Sequence, residues 1–218
     1  MKKGDFVRIV YTGKIKETGE VFDTTDENVA KKEGIYNKDA RYGPAPVIVG
    51  YNKVIRGLDN ALLRMNIGDK ETIEVLPQDG FGKRNPNLIK LIPSVEFKKQ
   101  GITPLPGMPI SMDNIRGRIL SVNSGRVKVD FNNPLAGKTL VYELEIKEKI
   151  DDRKDKIKAI CEYYKCDPSD VIIKDGEVEI IMVKDVDRSS KELIANDVKE
   201  HIGINKIKFS EIFEVKTK

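Results

Sequence analysis

Residues 7–25 read VRIVYTGKIKETGEVFDTT. Around the start of this stretch Phe6, Ile9 and Tyr11 alternate imperfectly with polar residues, the period of a half-buried strand. Lys16-Glu17-Thr18-Gly19-Glu20 breaks the alternation with a turn composition, Gly19 supplying the positive φ. Val21-Phe22-Asp23 then resumes the strand, so the whole reads as a hairpin. A second stretch, VIRGLDNALLRMNIGDKETIEVLP from Val54 to Pro77, changes period. Leu58, Leu62 and Met65 fall at helical spacing within Arg56 to Met65, with Gly68 beyond the end. Thr72 to Leu76 is a strand that Pro77 stops. Between the two stretches lie a polar loop over residues 26–44, with room for a helical turn, and a short strand, Pro46-Val47-Ile48-Val49.

Residues 84–131 have another texture. Pro86, Pro93, Pro104, Pro106 and Pro109 break the first half. Two alternating segments, Arg118 to Val122 and Val127 to Phe131, flank Asn123-Ser124-Gly125-Arg126 and form a second hairpin. Leu140 to Ile146 alternates again as a closing strand. After Ile150, Ile157, Ile160, Cys161 and Tyr164 define one helix face. Val171-Ile172-Ile173-Lys174, Asp175-Gly176 and Val178-Glu179-Ile180 form a hairpin with a type I′ turn signal. Ser189 with Glu192 reads as a capping box opening a helix, and Ile207 and Phe209 begin a last strand. The order after residue 150 is αββαβ, a segment too small to bury a large core alone.

Composition narrows the function. Lys and Arg number 39 against 35 Asp and Glu, and the signs interleave, as in KEKIDDRKDKIK from Lys147 to Lys158. That is a solvated face; a nucleic-acid footprint needs clustered basic residues, so no nucleic-acid partner is expected. No apolar run approaches the ~20 residues of a membrane helix, and Met1-Lys2-Lys3-Gly4-Asp5 leads straight into a strand without a signal-peptide pattern. A cytoplasmic protein with no membrane partner is the expectation. Cys161 and Cys166 stand five apart without a CxxC or Cys/His cluster and read as reduced structural thiols. His201, the only histidine, lies late on a helix beside Gly203, where it is expected to cap or face water.

Tyr11-Thr12-Gly13, Phe22-Asp23, Val54-Ile55-Arg56-Gly57-Leu58, Gly80-Phe81-Gly82, Leu135-Ala136-Gly137 and Tyr142 follow one another in a telling order and spacing. In this the chain resembles the FKBP-type peptidyl-prolyl cis-trans isomerases, of the SlyD-like branch with archaeal long-type extensions. The resemblance implies an α+β fold: an antiparallel half-barrel sheet wrapped on a short helix (residues 1–84 and 132–150), a small all-β domain inserted in the flap (85–131) and a C-terminal αββαβ domain (151–218).

It also implies a site. Tyr11, Phe22, Val54, Ile55, Leu58 and Tyr142 would line a proline pocket, with Asp23 on its rim and Phe81 over the substrate carbonyl. Val49 and Leu135 are further wall candidates. Ile89, Leu91, Ile92, Val95, Phe97, Met108, Ile110 and Met112 of the insert would form an apolar capture surface for unfolded or proline-containing chains. No cofactor or metal is implied, since the His-rich metal-binding tail of SlyD-like bacterial relatives has no counterpart here. Two departures stand out. Most relatives place Tyr at the position of Phe81, and loss of its hydroxyl weakens macrolide inhibitor binding. Many compact members have Trp where Leu58 makes the floor shallower. The same features fit a non-catalytic holdase chaperone with a vestigial pocket. The C-terminal segment either dimerises two chains or docks on the body of its own, and the sequence leaves both open.

Overall fold

The computed structural model describes residues 1–112 and 115–212. Two residues of the expected insert and the last six of the expected C-terminal segment therefore lie outside the described residues. The elements run β1 (Phe6–Ile15), β2 (Val21–Thr24), α1 (Glu27–Lys32), β3 (Ala45–Ile48), α2 (Arg56–Arg64), β4 (Lys70–Val75), β5 (Ile89–Pro93), α3 (Ser94–Lys99), β6 (Pro109–Met112), β7 (Ile115–Asn123), β8 (Arg126–Asp130), β9 (Leu140–Ile150), α4 (Arg153–Tyr163), β10 (Pro168–Lys174), β11 (Glu177–Met182), α5 (Arg188–Ile202) and β12 (Lys206–Glu211). This is a mixed α+β chain with mainly antiparallel sheets. It divides into two compact units, residues 1–75 with 140–218 and residues 76–139.

In the first unit the main sheet runs β2-β1-β9-β4, with β3 also paired to β1, and every pairing is antiparallel. Ile9, Ile15, Ile73, Val75, Leu140, Tyr142, Leu144 and Ile146 are buried. Lys14, Glu74 and Glu143 alternate with them on the other face, as a one-sided sheet requires. Helix α2 lies on β4 through Gly57, where a Cβ would meet Val75 Cγ1 at 2.6 Å.

The C-terminal elements of this unit form a three-stranded sheet, β10-β11-β12. The β10–β11 hairpin turns on Asp175 (φ 50) and Gly176 (φ 76), both positive as type I′ demands. Strand β12 pairs parallel to β11, and α5 provides the crossover. Phe6, Ile48 and Ile150 share one buried core with Ile157, Ile160, Val178, Ile180, Ile194 and Val198. The C-terminal segment is thus seated on the body of its own chain. Charges reinforce this: the Arg8 guanidinium donates to both Glu162 carboxylate oxygens, at 3.1 and 2.9 Å.

Two local expectations are corrected here. The cap of α5 is Asp187, which accepts from Ser190 N, and not Ser189. A carboxylate two residues upstream outcompetes the hydroxyl for the orphan amides. His201 does not face water. Its side chain is 3% exposed and meets the Tyr51 ring edge-on at 4.4 Å and Phe6 at 6.1 Å. Burial lowers its pKa. Cys161 and Cys166 are free and buried, and burial pushes the Cys161 thiol up to about 12.

The second unit holds a four-stranded antiparallel sheet, β5-β8-β7-β6. It is not all-β as expected. Helix α3 follows Pro93, with Phe97 3% exposed in a core with Ile119, Val127 and Val129. An apolar anchor and a proline that fixes the entry dihedral suffice for one helical turn and a half.

Candidate active site

The β1–β2 hairpin positions three of the expected site residues. Tyr11 is fixed through its backbone: its N–H donates to Thr25 Oγ1 at 2.9 Å, and its carbonyl accepts from Thr25 N at 3.0 Å and Thr24 Oγ1 at 3.1 Å. The second Thr of the sequence VFDTT thereby locks the strand bearing the aromatic. Gly13 stands opposite Asp23 on β2 and opposite Tyr142 on β9. A Cβ there would lie 2.8 Å from both Phe22 Cζ and Tyr142 Cε1, so the two rings close over bare backbone. That explains the Gly of Tyr11-Thr12-Gly13.

The aromatic wall that results is tightly specified. Phe22 meets Tyr142 edge-on at 5.7 Å, and Tyr11 lies tilted against Tyr142 at 5.9 Å. Both geometries favour the ring quadrupoles. The Tyr11 hydroxyl donates to Asp23 Oδ2 at 2.9 Å, on an exposed rim. Burial, then the Asp23 charge and the hydrogen bond to it, raise the Tyr11 pKa above the ordinary phenol value. Burial and Asp23 do the same to Tyr142. Both hydroxyls therefore keep their protons, and the site presents apolar faces with one oriented carboxylate.

Val54 and Ile55 are half-buried at the entry to α2, where the Ile55 carbonyl accepts from Leu58 N at 3.0 Å and Asp59 N at 3.1 Å. Leu58 is 3% exposed. Asp59 is a positioning residue that the sequence did not single out. Buried at 4%, it accepts from Gly50 N at 2.7 Å and Asn52 N at 2.8 Å, and so ties the loop before Val54 to α2. Its signal was an acid at the first turn of an otherwise apolar helix face. Val49 is fully buried, its N–H and carbonyl paired with Asp5 and Gly4.

A short-type peptidyl-prolyl cis-trans isomerase of Methanocaldococcus jannaschii is 35% identical to this chain over 148 residues, 68% of this chain and 93% of that protein. The chain belongs to the FKBP-type peptidyl-prolyl isomerases. A family model described as "FKBP26, IF domain" matches residues 90–135. An FKBP-type 16 kDa isomerase of Escherichia coli (strain K12) is 33% identical over 48% of this chain and 73% of its own length. The SlyD isomerase of Helicobacter pylori is 31% identical over 57% of this chain and 63% of its own length.

The remaining expected residues of this FKBP lie in the unit of residues 76–139. Phe81 is half-buried after a 3₁₀ turn at Pro77–Asp79. Its loop is held by Gly82 N donating to Pro77 O at 2.7 Å and by Gly137 N donating to Gly82 O at 2.8 Å. The two glycine-bearing motifs, Gly80-Phe81-Gly82 and Leu135-Ala136-Gly137, are therefore side by side, and Leu135 is half-buried. Among the insert candidates, Leu91 and Val95 are exposed at 62% and 51%. Ile92, Met108, Ile110 and Met112 are half-buried around the insert's core, and Ile89 is half-buried at the start of β5. Phe97 is spent on that core, which corrects its place on the capture surface. Leu88, Leu105 and Ile115 are exposed apolar residues that the sequence reading passed over.

Proposed function

We propose that this FKBP accelerates rotation about X–Pro bonds in folding polypeptides, and that its insert binds unfolded chains as a chaperone. The catalytic surface on this reading is Tyr11, Phe22, Asp23, Val54, Ile55, Leu58, Phe81 and Tyr142. The observation that carries it is the Tyr11–Phe22–Tyr142 wall closed over Gly13 with Asp23 fixed at its rim.

The chemistry follows from the amide. Resonance holds the X–Pro bond planar behind a barrier of ~18–20 kcal/mol. The twisted transition state has lost conjugation and part of its dipole. An apolar wall strips water from the carbonyl and so disfavours the planar, more polar ground state relative to the twisted one. A carboxylate fixed beforehand costs no reorganisation as the dipole turns. Bond rotation calls for no nucleophile, metal or cofactor. The insert supplies clients: exposed Leu91 and Val95, with Leu88, Leu105 and Ile115, suit promiscuous apolar capture. Tethering raises the effective concentration of X–Pro bonds at the pocket.

Phe81 favours a second reading, a holdase with a vestigial pocket. Turnover of a short Ala-Pro-Phe type peptide separates the two, because such a peptide scarcely engages the insert. Acceleration supports the isomerase; a rate equal to the uncatalysed one supports the holdase. Phe81→Tyr is expected to keep or raise that turnover and to tighten an FKBP-binding macrolide by one hydrogen bond, ~0.5–1.5 kcal/mol. Weaker macrolide binding in a folded variant would mean that Phe81 does not stand at the carbonyl side.

Homodimerisation through residues 151–218 also belongs to this proposal. Strand β12 is a sheet edge among the described residues, a surface open to strand pairing. Two-fold dimers are the commonest soluble assemblies. Light scattering on the full chain is expected to give the mass of a dimer; a monomer at tens of micromolar would sink the idea.

A further inference from the structure

The loop from Gly50 to Val54 joins β3 to α2 and delivers Val54 and Ile55 to the pocket. The C-terminal helices grip it at three points. The Tyr163 hydroxyl donates to the Lys53 carbonyl at 3.1 Å. The Lys53 ammonium donates to Asp197 Oδ2 at 2.6 Å and to Tyr164 OH at 3.3 Å, while Tyr164 OH donates to the same carboxylate oxygen at 2.8 Å. The ammonium also lies 5.3 Å and 5.6 Å from the Tyr163 and Tyr164 ring centroids. One residue earlier but one, Tyr51 packs edge-on against His201 of α5 at 4.4 Å. Asp59 holds the same loop from the side of α2.

We infer that Tyr163, Tyr164 and Asp197 are positioning residues for the isomerase pocket: through Lys53 they fix the backbone that presents Val54 and Ile55. The inference rests on the pocket reading above and extends it to a part of the chain that touches no substrate.

A purely stabilising role fits the pair poorly. Lys53 and Asp197 side chains are 17% and 11% exposed. Taking two charges that far out of water costs much of what their attraction returns, and a pair of packed apolar residues commonly stabilises as well or better. What an apolar pair cannot do is set the direction of one carbonyl and one side chain. Burial works against the Lys53 charge, but its bonds to Asp197 and Tyr164 outweigh that and leave its pKa above the ordinary lysine value. Lys53 therefore keeps its charge at neutral pH. Displacements of about 1 Å in a binding surface suffice to cost large factors in rate.

The test measures kcat and KM on a short proline peptide, with thermal midpoints, for the full chain and its variants. Tyr163→Phe removes only the hydroxyl on the Lys53 carbonyl. The pair Lys53→Met with Asp197→Leu removes the ammonium and its acceptor together, so no buried charge is orphaned. Each is expected to lower kcat/KM about fivefold, chiefly by raising KM, with the midpoint little changed. Lys53→Arg, which keeps the charge and the reach, should recover at least half of the loss. Val171→Ala, in the buried C-terminal core but outside the hydrogen-bonded clamp, should lower the midpoint and leave kcat and KM as they were. Wild-type constants in both Tyr163→Phe and the paired variant, with Asp23→Ala still impaired, would overturn the clamp and leave the pocket standing. Wild-type constants in Asp23→Ala and Tyr142→Leu as well would overturn both. Loss of activity in proportion to the midpoint across all variants, Val171→Ala included, would also overturn the clamp.

Discussion

Tyr142→Leu and Asp23→Ala are each expected to lower turnover of a short proline peptide at least about tenfold, ~1.4 kcal/mol of transition-state stabilisation, with circular dichroism unchanged. The two act by different routes. Tyr142 is 3% exposed and carries the edge contact to Phe22 and the tilted contact to Tyr11. A leucine there keeps an apolar core but leaves both neighbouring rings without the surface that orients them. The cavity costs about 2–3 kcal/mol, within a usual stability of about 5–15 kcal/mol, so the fold persists while the wall loosens. Asp23 is exposed and contributes little to the core. Its removal deprives the Tyr11 hydroxyl of its acceptor and takes away a charge fixed at the rim. Near-normal turnover in both folded variants would show that these residues are not the catalytic surface.

Much of the body was legible because its signals are local. The β1–β2 hairpin, α2 and the β10–β11 hairpin each carry their own period and turn chemistry within a dozen residues, and the structure has all three. Strand β5, helix α3 and strand β6 were missed. Prolines interrupt the alternation there, and α3 is only 6 residues long and anchored by Phe97, below the length at which helical periodicity shows. The cap of α5 was misplaced because Asp187 and Ser189 both offer acceptors within one turn.

The site divides in the same way. Tyr11, Phe22, Asp23 and Tyr142 were all assigned through a family pattern; the first three come from one hairpin, whereas Tyr142 stands more than 100 residues away in sequence from the rings it meets. Asp59, His201 and the Lys53–Asp197 pair had no such pattern. Their meaning depends on contacts far apart in sequence, 144 positions for the Lys53–Asp197 pair, which no local window reads.

Replacing residues 85–131 by a short Gly-containing loop is expected to abolish suppression of client aggregation and to slow catalysis on an unfolded protein by about a hundredfold. Turnover of a short peptide should survive. The structure makes the excision reasonable, because the insert has a closed neck and its own core. Arg84 pairs with Asp130, Asn85 N donates to Asn132 Oδ1 at 2.8 Å, and Asn132 Nδ2 returns a bond to Asn85 O at 3.0 Å. Phe97, Ile119, Val127 and Val129 are satisfied among themselves within the insert. The chain ends left at residues 84 and 132 are therefore close enough for a few residues to span. Every proposed pocket residue lies outside the excised segment, so peptide chemistry has no reason to fall with it. What is removed is the exposed apolar surface of Leu91, Val95, Leu105 and Ile115, and with it the tether that concentrates client prolines. The ratio of the two losses decides the matter. A large loss on protein with little on peptide assigns capture to the insert; equal losses on both would make it a structural part of the isomerase and not a client-binding module.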